Sequence, residues 1–148
     1  MLAGCGFKLR QPLPLSFNSA ALVGFAPRSP LAEELRRSLS QANVRVQGSP
    51  DRVEVVIQAL TDAREKAAVA STAAAQVREL QLRLRVHLRA RTPAGRELMP
   101  AVELLLTRDL STSETAALGK AQEEEQLYRD MQLDVVQQVM RRLAAIRL

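Results

Sequence analysis

The clearest pattern in the chain is a strict alternation of apolar and polar residues over residues 79–91. The apolar positions are Leu80, Leu82, Leu84, Val86, Leu88 and Ala90, and the positions between them are Gln81, Arg83, Arg85, His87, Arg89 and Arg91. Because successive side chains of a strand point to opposite faces, this alternation predicts one β-strand with an apolar face and an arginine-rich face. A helix would mix the two sets around its circumference.

In two other stretches apolar residues recur at every fourth position, a spacing typical of amphipathic helices. The first helix is predicted to begin at Ser29 as N-cap and Pro30 as first residue, and Asn43 is suited to end it. The second follows a capping box formed by Ser111 and Glu114, runs to about residue 146 and has Gly119 as a position where it could break. The apolar stripes are Leu31, Leu35 and Leu39 in the first helix, and Leu127, Met131, Val135, Val139 and Leu143 in the second.

Further strands are predicted at residues 19–26, from residue 53 and over residues 97–107, and residues 44–46 are extended. The alanine-rich residues 67–75 are interpreted as the end of a long hairpin, because the strands on either side can pair. A turn at residues 92–95 opens the next hairpin, where Pro100 indicates an edge position or a bulge.

The order strand, helix, three strands, helix predicts an α+β fold. We expect a two-layer sandwich in which two helices pack on one face of a four-stranded, mostly antiparallel sheet. Residues 1–18 would form a tether and residues 19–148 a single domain. The apolar side of residues 79–91 would face the helices, which leaves the arginine side uncovered.

Composition narrows the classes of function. The chain has 148 residues, a net charge of +5 and 3% aromatic residues. The positive charge predicts attraction to polyanions such as nucleic acid, anionic lipid or an acidic protein surface. The scarcity of aromatic side chains argues against a platform for single-stranded nucleic acid. One cysteine and one histidine exclude an internal disulfide and a cysteine-built zinc site.

No catalytic motif stands out in the sequence. There is no glycine-rich phosphate loop, no cluster of metal-ligating residues and no nucleophile elbow. We therefore expect neither an enzyme nor a cofactor. The arginine row of residues 83–91 has two interpretations that stay open, a solvated strand face or a surface that binds anions or a protein. His87 in that row is interpreted as an ordinary surface histidine.

The first residues suggest a lipoprotein. Leu2-Ala3-Gly4-Cys5 is similar to the lipobox at which bacterial lipoprotein signal peptides are cut, which would make Cys5 the lipidated first residue. A signal peptide also needs a basic segment and an apolar segment upstream. Either the sequence is trimmed at the lipobox, or the match arises by chance. A hydrophobic segment upstream of Leu2 in the genomic sequence would decide between the two.

Several stretches together resemble the LptE family of lipopolysaccharide-assembly lipoproteins. In that family Cys-Gly-aromatic-x-Leu-Arg recurs after the lipobox, as in residues 5–10 here. The other matching stretches are Ser29-Pro30-Leu31, Arg78-Glu79-Leu80-Gln81, Arg108-Asp109, residues 116–120 and Tyr128-Arg129-Asp130-Met131. Their order and spacing cover almost the whole chain.

The resemblance implies a lipoprotein at the periplasmic face of the outer membrane, anchored through Cys5. It implies a plug inside the LptD β-barrel that assists barrel assembly and binds lipopolysaccharide. Gly6 fits outer-membrane sorting, since it is not the aspartate that retains enteric lipoproteins at the inner membrane. The family's lipopolysaccharide-binding lysine matches Lys120, but its arginine falls on Ala73 in this chain.

We hypothesise that other arginines replace the missing one. The candidates are Arg78, Arg83, Arg85, Arg89 and Arg91. For Lys120 a solvated lysine at the flank of a helix is the alternative. Two other functions stay open from the residues: a small basic nucleic-acid-binding module, which the lipobox disfavours, and a generic periplasmic lipoprotein adaptor. The family resemblance predicts no nucleic-acid partner.

Overall fold

Five strands, two α-helices and one 3-10 turn build the described part of the chain, residues 13–71, 73–74, 77–111 and 117–148 of a computed structural model. The strands are β1 (Ser19–Val23), β2 (Arg45–Gln47), β3 (Val55–Ser71), β4 (Val77–Arg91) and β5 (Glu97–Ser111). The helices are α1 (Pro30–Gln41) and α2 (Ala117–Ala144), and the 3-10 turn is Pro50–Arg52.

The strands form one mixed sheet in the order β2-β1-β3-β4-β5. β1 pairs in parallel with both β2 and β3, whereas β3, β4 and β5 are antiparallel. The expected four-stranded, mostly antiparallel sheet is therefore wrong in strand number and in strand direction, since the sheet has five strands and two of its four pairings are parallel. The extended segment after α1 is a true strand, and because a helical crossover returns the chain to the same end of the sheet, the strands that it joins run parallel.

Both helices pack on one face of the sheet, as the sequence predicts. The apolar side chains of β4 from Leu82 to Ala90 are buried in one core with the stripes of α1 and α2. That core contains Leu31, Leu35 and Leu39 from α1, and Met131, Val135, Val139 and Leu143 from α2. The α+β class, the two layers and the face of β4 that meets the helices are confirmed.

The predicted helix boundaries are confirmed for α1 and for the end of α2, and wrong for the start of α2. The Ser29 hydroxyl accepts a hydrogen bond from the Ala32 amide at 3.1 Å, and Asn43 follows α1 with a φ of +62°. Ser111, by contrast, is the last residue of β5 and not the N-cap of a helix. Glu114, its capping-box partner, lies outside the described residues, and α2 runs through Gly119 without a break.

The long strands confirm the hairpin interpretation of the alanine-rich segment. β3 continues through the alanines to Ser71 and pairs with β4 along its length. At the other hairpin, the Gly95 amide donates to the Thr92 carbonyl at 3.0 Å, and Gly95 has a φ of +102°. Pro100 lies in β5, which is an edge strand, and the register shifts beside it, so both predictions for this proline hold.

The domain has two ends, the tip and the base. The tip is the end at which β3 and β5 finish and β4 and α2 begin. The base is the opposite end, where β1 and β2 begin, residues 92–96 turn and α2 finishes. Ser16 and Phe17, which the sequence analysis assigns to the tether, contact the base: the Ser16 hydroxyl donates to the Ile146 carbonyl at 2.7 Å, and Phe17 is 1% exposed.

Candidate functional site

The arginine row of β4 lies on the sheet face opposite the helices. We call this face the outer face. Arg83, Arg85, Arg89 and Arg91 are all partly exposed, whereas the apolar residues between them are buried beneath α1 and α2. The predicted separation of the two faces of β4 is confirmed. The outer face is partly covered at only one position that the described residues show, where Val53 packs on Ala21 and Val56.

Arg85 is held by two carboxylates from the neighbouring strands. Its Nε lies 3.3 Å from Glu65 on β3, and one terminal nitrogen lies 2.9 Å from Glu103 on β5. Hydrogen bonds to Glu65 and then Glu103 raise the pKa of Arg85 above its ordinary value. Because two negative groups already surround this guanidinium, it is the arginine of the row least able to attract a further anion.

The other three arginines contact neutral groups. Arg83 donates from Nε to the Gln81 side chain at 2.8 Å, and Arg89 donates from Nε to the Gln58 side chain at 2.9 Å. Arg91 donates to the Thr92 carbonyl at 3.1 Å. These bonds orient each guanidinium without pairing it directly with a carboxylate, so these three residues keep the capacity to bind an anion.

The outer face as a whole carries mixed charge, because carboxylates from β3, β4 and β5 surround the arginine row. In the strand register, Glu97 lies opposite Arg91, Glu103 opposite His87, and Glu65 opposite Arg83. The outer-face carboxylates on these strands are Glu65, Glu79, Glu97, Glu103 and Asp109. The alternation within β4 predicts that its arginines share one face. The charge of that face also depends on which residues of β3 and β5 lie beside them, and the strand register decides this.

Lys120 lies on the other layer of the molecule. It is in the first turns of α2, close to the tip, with its Nζ 3.1 Å from Glu123 and its side chain 28% exposed. Since α2 packs on the apolar side of the sheet, the structure separates Lys120 from the arginine row. The predicted site residues therefore form two groups on opposite layers.

The remaining candidates are only partly described. The backbone of Arg78 belongs to the first residues of β4, so it lies at the tip like Lys120, and its side chain is outside what the structure describes. Ala73 is an exposed turn residue at the same end. Cys5 and the lipobox residues lie outside the described part of the chain.

Sequence reasoning missed a polar cluster that joins β3 to α2. Arg64 binds Glu125 at 3.1 Å and Gln132 at 3.2 Å, and its guanidinium carbon lies 4.7 Å from the centre of the Tyr128 ring. The Tyr128 hydroxyl donates to the Glu65 carbonyl at 2.7 Å. Burial, followed by the charge of Glu124, raises the pKa of Tyr128.

A β-bulge explains why Arg64 meets the helix. Between Ala59 and Thr61 the register with β4 shifts by one residue, so the residues that follow change faces. Arg64 and Lys66 then share the helix side with Leu84 and Leu82. β1 pairs with β3 only as far as Gln58, so the rest of β3 has an open edge. Charged side chains that point inward, as Arg64 and Lys66 do, disfavour the pairing of a further strand with that edge. The signal in the sequence is the loss of apolar alternation after Ala59.

Neither a metal-binding cluster nor a membrane-spanning helix occurs among the described residues. Residues 13–71, 73–74, 77–111 and 117–148 contain no group of three or more histidine, cysteine or acidic side chains placed to hold a metal ion. In the same ranges, neither helix combines the length and the apolar character needed to cross a membrane.

Comparison with known proteins agrees with this architecture. A family model described as "LptE: Lipopolysaccharide-assembly" matches residues 17–143. The LPS-assembly lipoprotein LptE of Yersinia enterocolitica is 26% identical over 147 residues, which cover 97% of this chain and 70% of that protein. An uncharacterised lipoprotein B from Nitrosomonas europaea is 35% identical, with a TM-score of 0.77 over 95% of this chain and 91% of that chain. The rare lipoprotein B from Shewanella oneidensis is 22% identical and shares the fold, with a TM-score of 0.68 over 86% of this chain and 95% of that chain.

The protein is a two-layer α+β domain in which a pair of helices covers one face of a mixed, five-stranded sheet. Its predicted site residues lie in two groups, one at the tip and one on the outer face. The family match spans both layers. The chain belongs to the LptE family of lipopolysaccharide-assembly proteins, as the sequence resemblance predicts.

Proposed function

We propose that this protein is a lipoprotein subunit of the outer-membrane complex that assembles lipopolysaccharide. In this proposal Cys5 carries the lipid anchor, the domain is seated in the LptD barrel and assists its assembly, and the protein binds lipopolysaccharide. The observation that carries the proposal is the family match over residues 17–143, which includes all five strands and nearly all of α2. The lipobox at residues 2–5 gives independent support.

Lipopolysaccharide carries phosphate groups, so the candidate contacts are cations. Lys120 and Arg78 supply one group at the tip. Arg83, Arg89 and Arg91 supply a second group on the outer face, where each guanidinium contacts only neutral partners among the described residues. A guanidinium can bind phosphate through two parallel hydrogen bonds. Arg85 contributes least, because Glu65 and Glu103 already bind it.

The tip is tested by Lys120→Glu, with Arg129→Glu as its matched control on an exposed part of the same helix. Loss of a charged hydrogen bond predicts roughly tenfold weaker binding of purified lipopolysaccharide by Lys120→Glu. The control should bind within about twofold of the wild type, since a distant charge is screened. Equal affinities in the two variants would remove Lys120 from the site.

The outer face is tested by the double variant Arg83→Glu/Arg89→Glu against Arg85→Glu. If the outer face binds phosphate, the double variant loses affinity for lipopolysaccharide and Arg85→Glu loses much less. A loss that is as large in Arg85→Glu, or absent from the double variant, contradicts the assignment of these arginines. Circular dichroism and thermal unfolding show whether each variant is folded.

The cellular role is tested by expressing the protein with its native upstream region in its own host. We expect incorporation of labelled fatty acid that Cys5→Ala abolishes, and co-purification with a large outer-membrane β-barrel. A folded, correctly exported protein that co-purifies with no barrel contradicts the proposed function. The Cys5→Ala variant separates anchoring from barrel binding, because barrel binding by the domain does not depend on the acyl chains.

A further inference from the structure

The base of the domain carries a group of exposed arginines that the proposed function leaves unexplained. They come from four segments at this end of the domain: the start of β2, the turn between β4 and β5 at the other side of the sheet, the last turn of α2 and the residues after it. The group consists of Arg45, Arg96, Arg141, Arg142 and Arg147. None of the five lies within salt-bridge distance of a carboxylate in the part of the chain that the structure describes.

Few carboxylates near the base offset this charge. The nearest in sequence are Asp51, Glu54, Glu97 and Asp134, and Asp134 is already paired with Arg108 at 3.0 Å. Glu54 is already engaged, since its carboxylate accepts the backbone amides of Asn18 at 2.6 Å and Ser19 at 3.1 Å. The base therefore has an excess of positive charge, in contrast to the outer face, where carboxylates balance the arginine row.

Arg141 and Arg142 lie in the last turn of α2, where the helix dipole favours cations, and carbonyls at this end of the helix have other partners. Arg147 donates to the Ala144 carbonyl at 3.3 Å and to the Ile146 carbonyl at 3.2 Å, and the Ser16 hydroxyl also donates to the Ile146 carbonyl. These bonds satisfy carbonyls at the end of α2. Arg141 and Arg142 line a shallow depression with Gln138 and Ala145, open to solvent and wide enough for an anionic group.

The base is also the end from which the chain leads to Cys5. Ser16 and Phe17 attach the N-terminal segment to the base, and Leu13 is 46% exposed. Cys5 precedes Leu13 by eight residues. Eight residues span at most about 29 Å when fully extended. An acyl anchor on Cys5 would hold the base close to a membrane surface, whereas Lys120 lies about 30 Å from Arg141 along α2.

We propose that the base is a docking surface for anionic phospholipid headgroups of the membrane that holds the Cys5 anchor. This inference rests on the proposed function, because it takes Cys5 as the anchor. The five arginines are dispersed over four segments, a pattern that suits a surface of many phosphates. A basic surface beside an acyl anchor adds electrostatic attraction to anionic headgroups and orients the domain on the membrane.

The test uses the full chain with Cys5→Ser, so that no acyl chain contributes, and measures binding to vesicles of phosphatidylcholine with about 30% phosphatidylglycerol. The base variant is Arg141→Gln/Arg142→Gln. Its matched control, Arg28→Gln/Arg129→Gln, removes two exposed positive charges away from the base that, like those of the base, lie in no salt bridge among the described residues. From the loss of two charges we expect roughly thirtyfold weaker binding by the base variant and at most a twofold change in the control. Binding by the wild type should fall as salt is raised and be absent with pure phosphatidylcholine.

The proposal is overturned if both variants lose affinity equally, if neither does, or if the wild type does not bind the anionic vesicles. A base variant that keeps its vesicle affinity but no longer co-purifies with the barrel assigns the base to a protein partner instead. Arg45→Gln/Arg96→Gln gives a second base variant should the first fail to fold. Lipopolysaccharide affinity, measured on the wild type and the same variants, separates this proposal from the proposed function: a wild type that binds anionic vesicles through the base but does not bind lipopolysaccharide contradicts only the latter.

Discussion

Gly24 follows the last residue of β1 in the left-handed region of backbone conformation, with a φ of +78°. A Cβ added there would overlap the Ala59 carbonyl oxygen, which belongs to the backbone of β3 beside the bulge. Both conditions require glycine, because a side chain would strain the turn and push β1 away from β3.

Gly24→Ala should therefore lower the free energy of unfolding by roughly 3 kcal/mol. Gly48→Ala is the matched control, since a Cβ at that position meets nothing within 4 Å. Urea denaturation of the two variants measures the difference. Similar stability of the two variants would show that β1 can move away from Ala59 at little cost.

Tyr128 is the only tyrosine in the chain, so its ionisation can be followed by the ultraviolet absorbance of tyrosinate. Burial raises its pKa above the ordinary value of 10.0, because the charged phenolate would lose hydration beneath the helix layer. The hydroxyl is also a donor to the Glu65 carbonyl. We expect the absorbance to titrate at higher pH in the folded protein than in urea.

The same shift predicts a dependence of stability on pH. Because the pKa of Tyr128 is higher in the folded than in the unfolded protein, the shift stabilises the fold fully at pH values below the unfolded pKa. This stabilisation is lost as the pH rises above about 10. The wild type should lose free energy of unfolding in that range faster than Tyr128→Phe. At neutral pH, Tyr128→Phe should be less stable by about 1 kcal/mol through the lost hydrogen bond. Parallel curves for the two proteins would contradict the shift.

At the scale of elements, α1 depends on a cap that the sequence predicts. The Ser29 hydroxyl is buried and accepts the Ala32 amide. Ser29→Ala should cost about 1 kcal/mol, because that amide loses its partner. Ser40→Ala, at an exposed position of the same helix, should change stability by less than about 0.5 kcal/mol. Thermal and urea unfolding of both variants test whether the cap matters.

Strand β3 shows where element prediction fails. Its first residues alternate regularly, but one bulge residue changes the face of every residue that follows. A bulge depends on the backbone of both strands, so the sequence of one strand indicates only that the alternation weakens. The partners of Arg64 in α2 are about sixty residues away in the chain, and nothing local predicts them.

At the scale of the whole molecule, Phe17, which lies outside the helices and strands, fills the core at the base of the domain. Phe17 is 1% exposed and belongs to the main core. Phe17→Ala should cost about 3–5 kcal/mol, because it leaves a cavity where the N-terminal segment meets both layers. Leu13→Ala, at a 46% exposed position, is the control and should be nearly neutral. Equal melting temperatures would place Phe17 outside the stabilising core.

The tertiary structure also decides where on the surface the positive charge is concentrated. A net charge of +5 predicts attraction to anions but no location. The register of β3 and β5 places carboxylates beside the arginines of β4, whereas the base collects arginines from separate elements. The surface that the sequence makes most conspicuous is therefore close to balanced in charge.

The sequence by itself determined the faces of β4, the apolar stripes of both helices, the cap of α1 and the family, because each depends on residues that are close together or on their order along the chain. Only the tertiary structure decided the parallel pairing of β1, the bulge in β3, the neighbours of each arginine and the separation of Lys120 from the outer face. These features arise where distant segments meet, and the energy that selects them comes from contacts that no single segment contains.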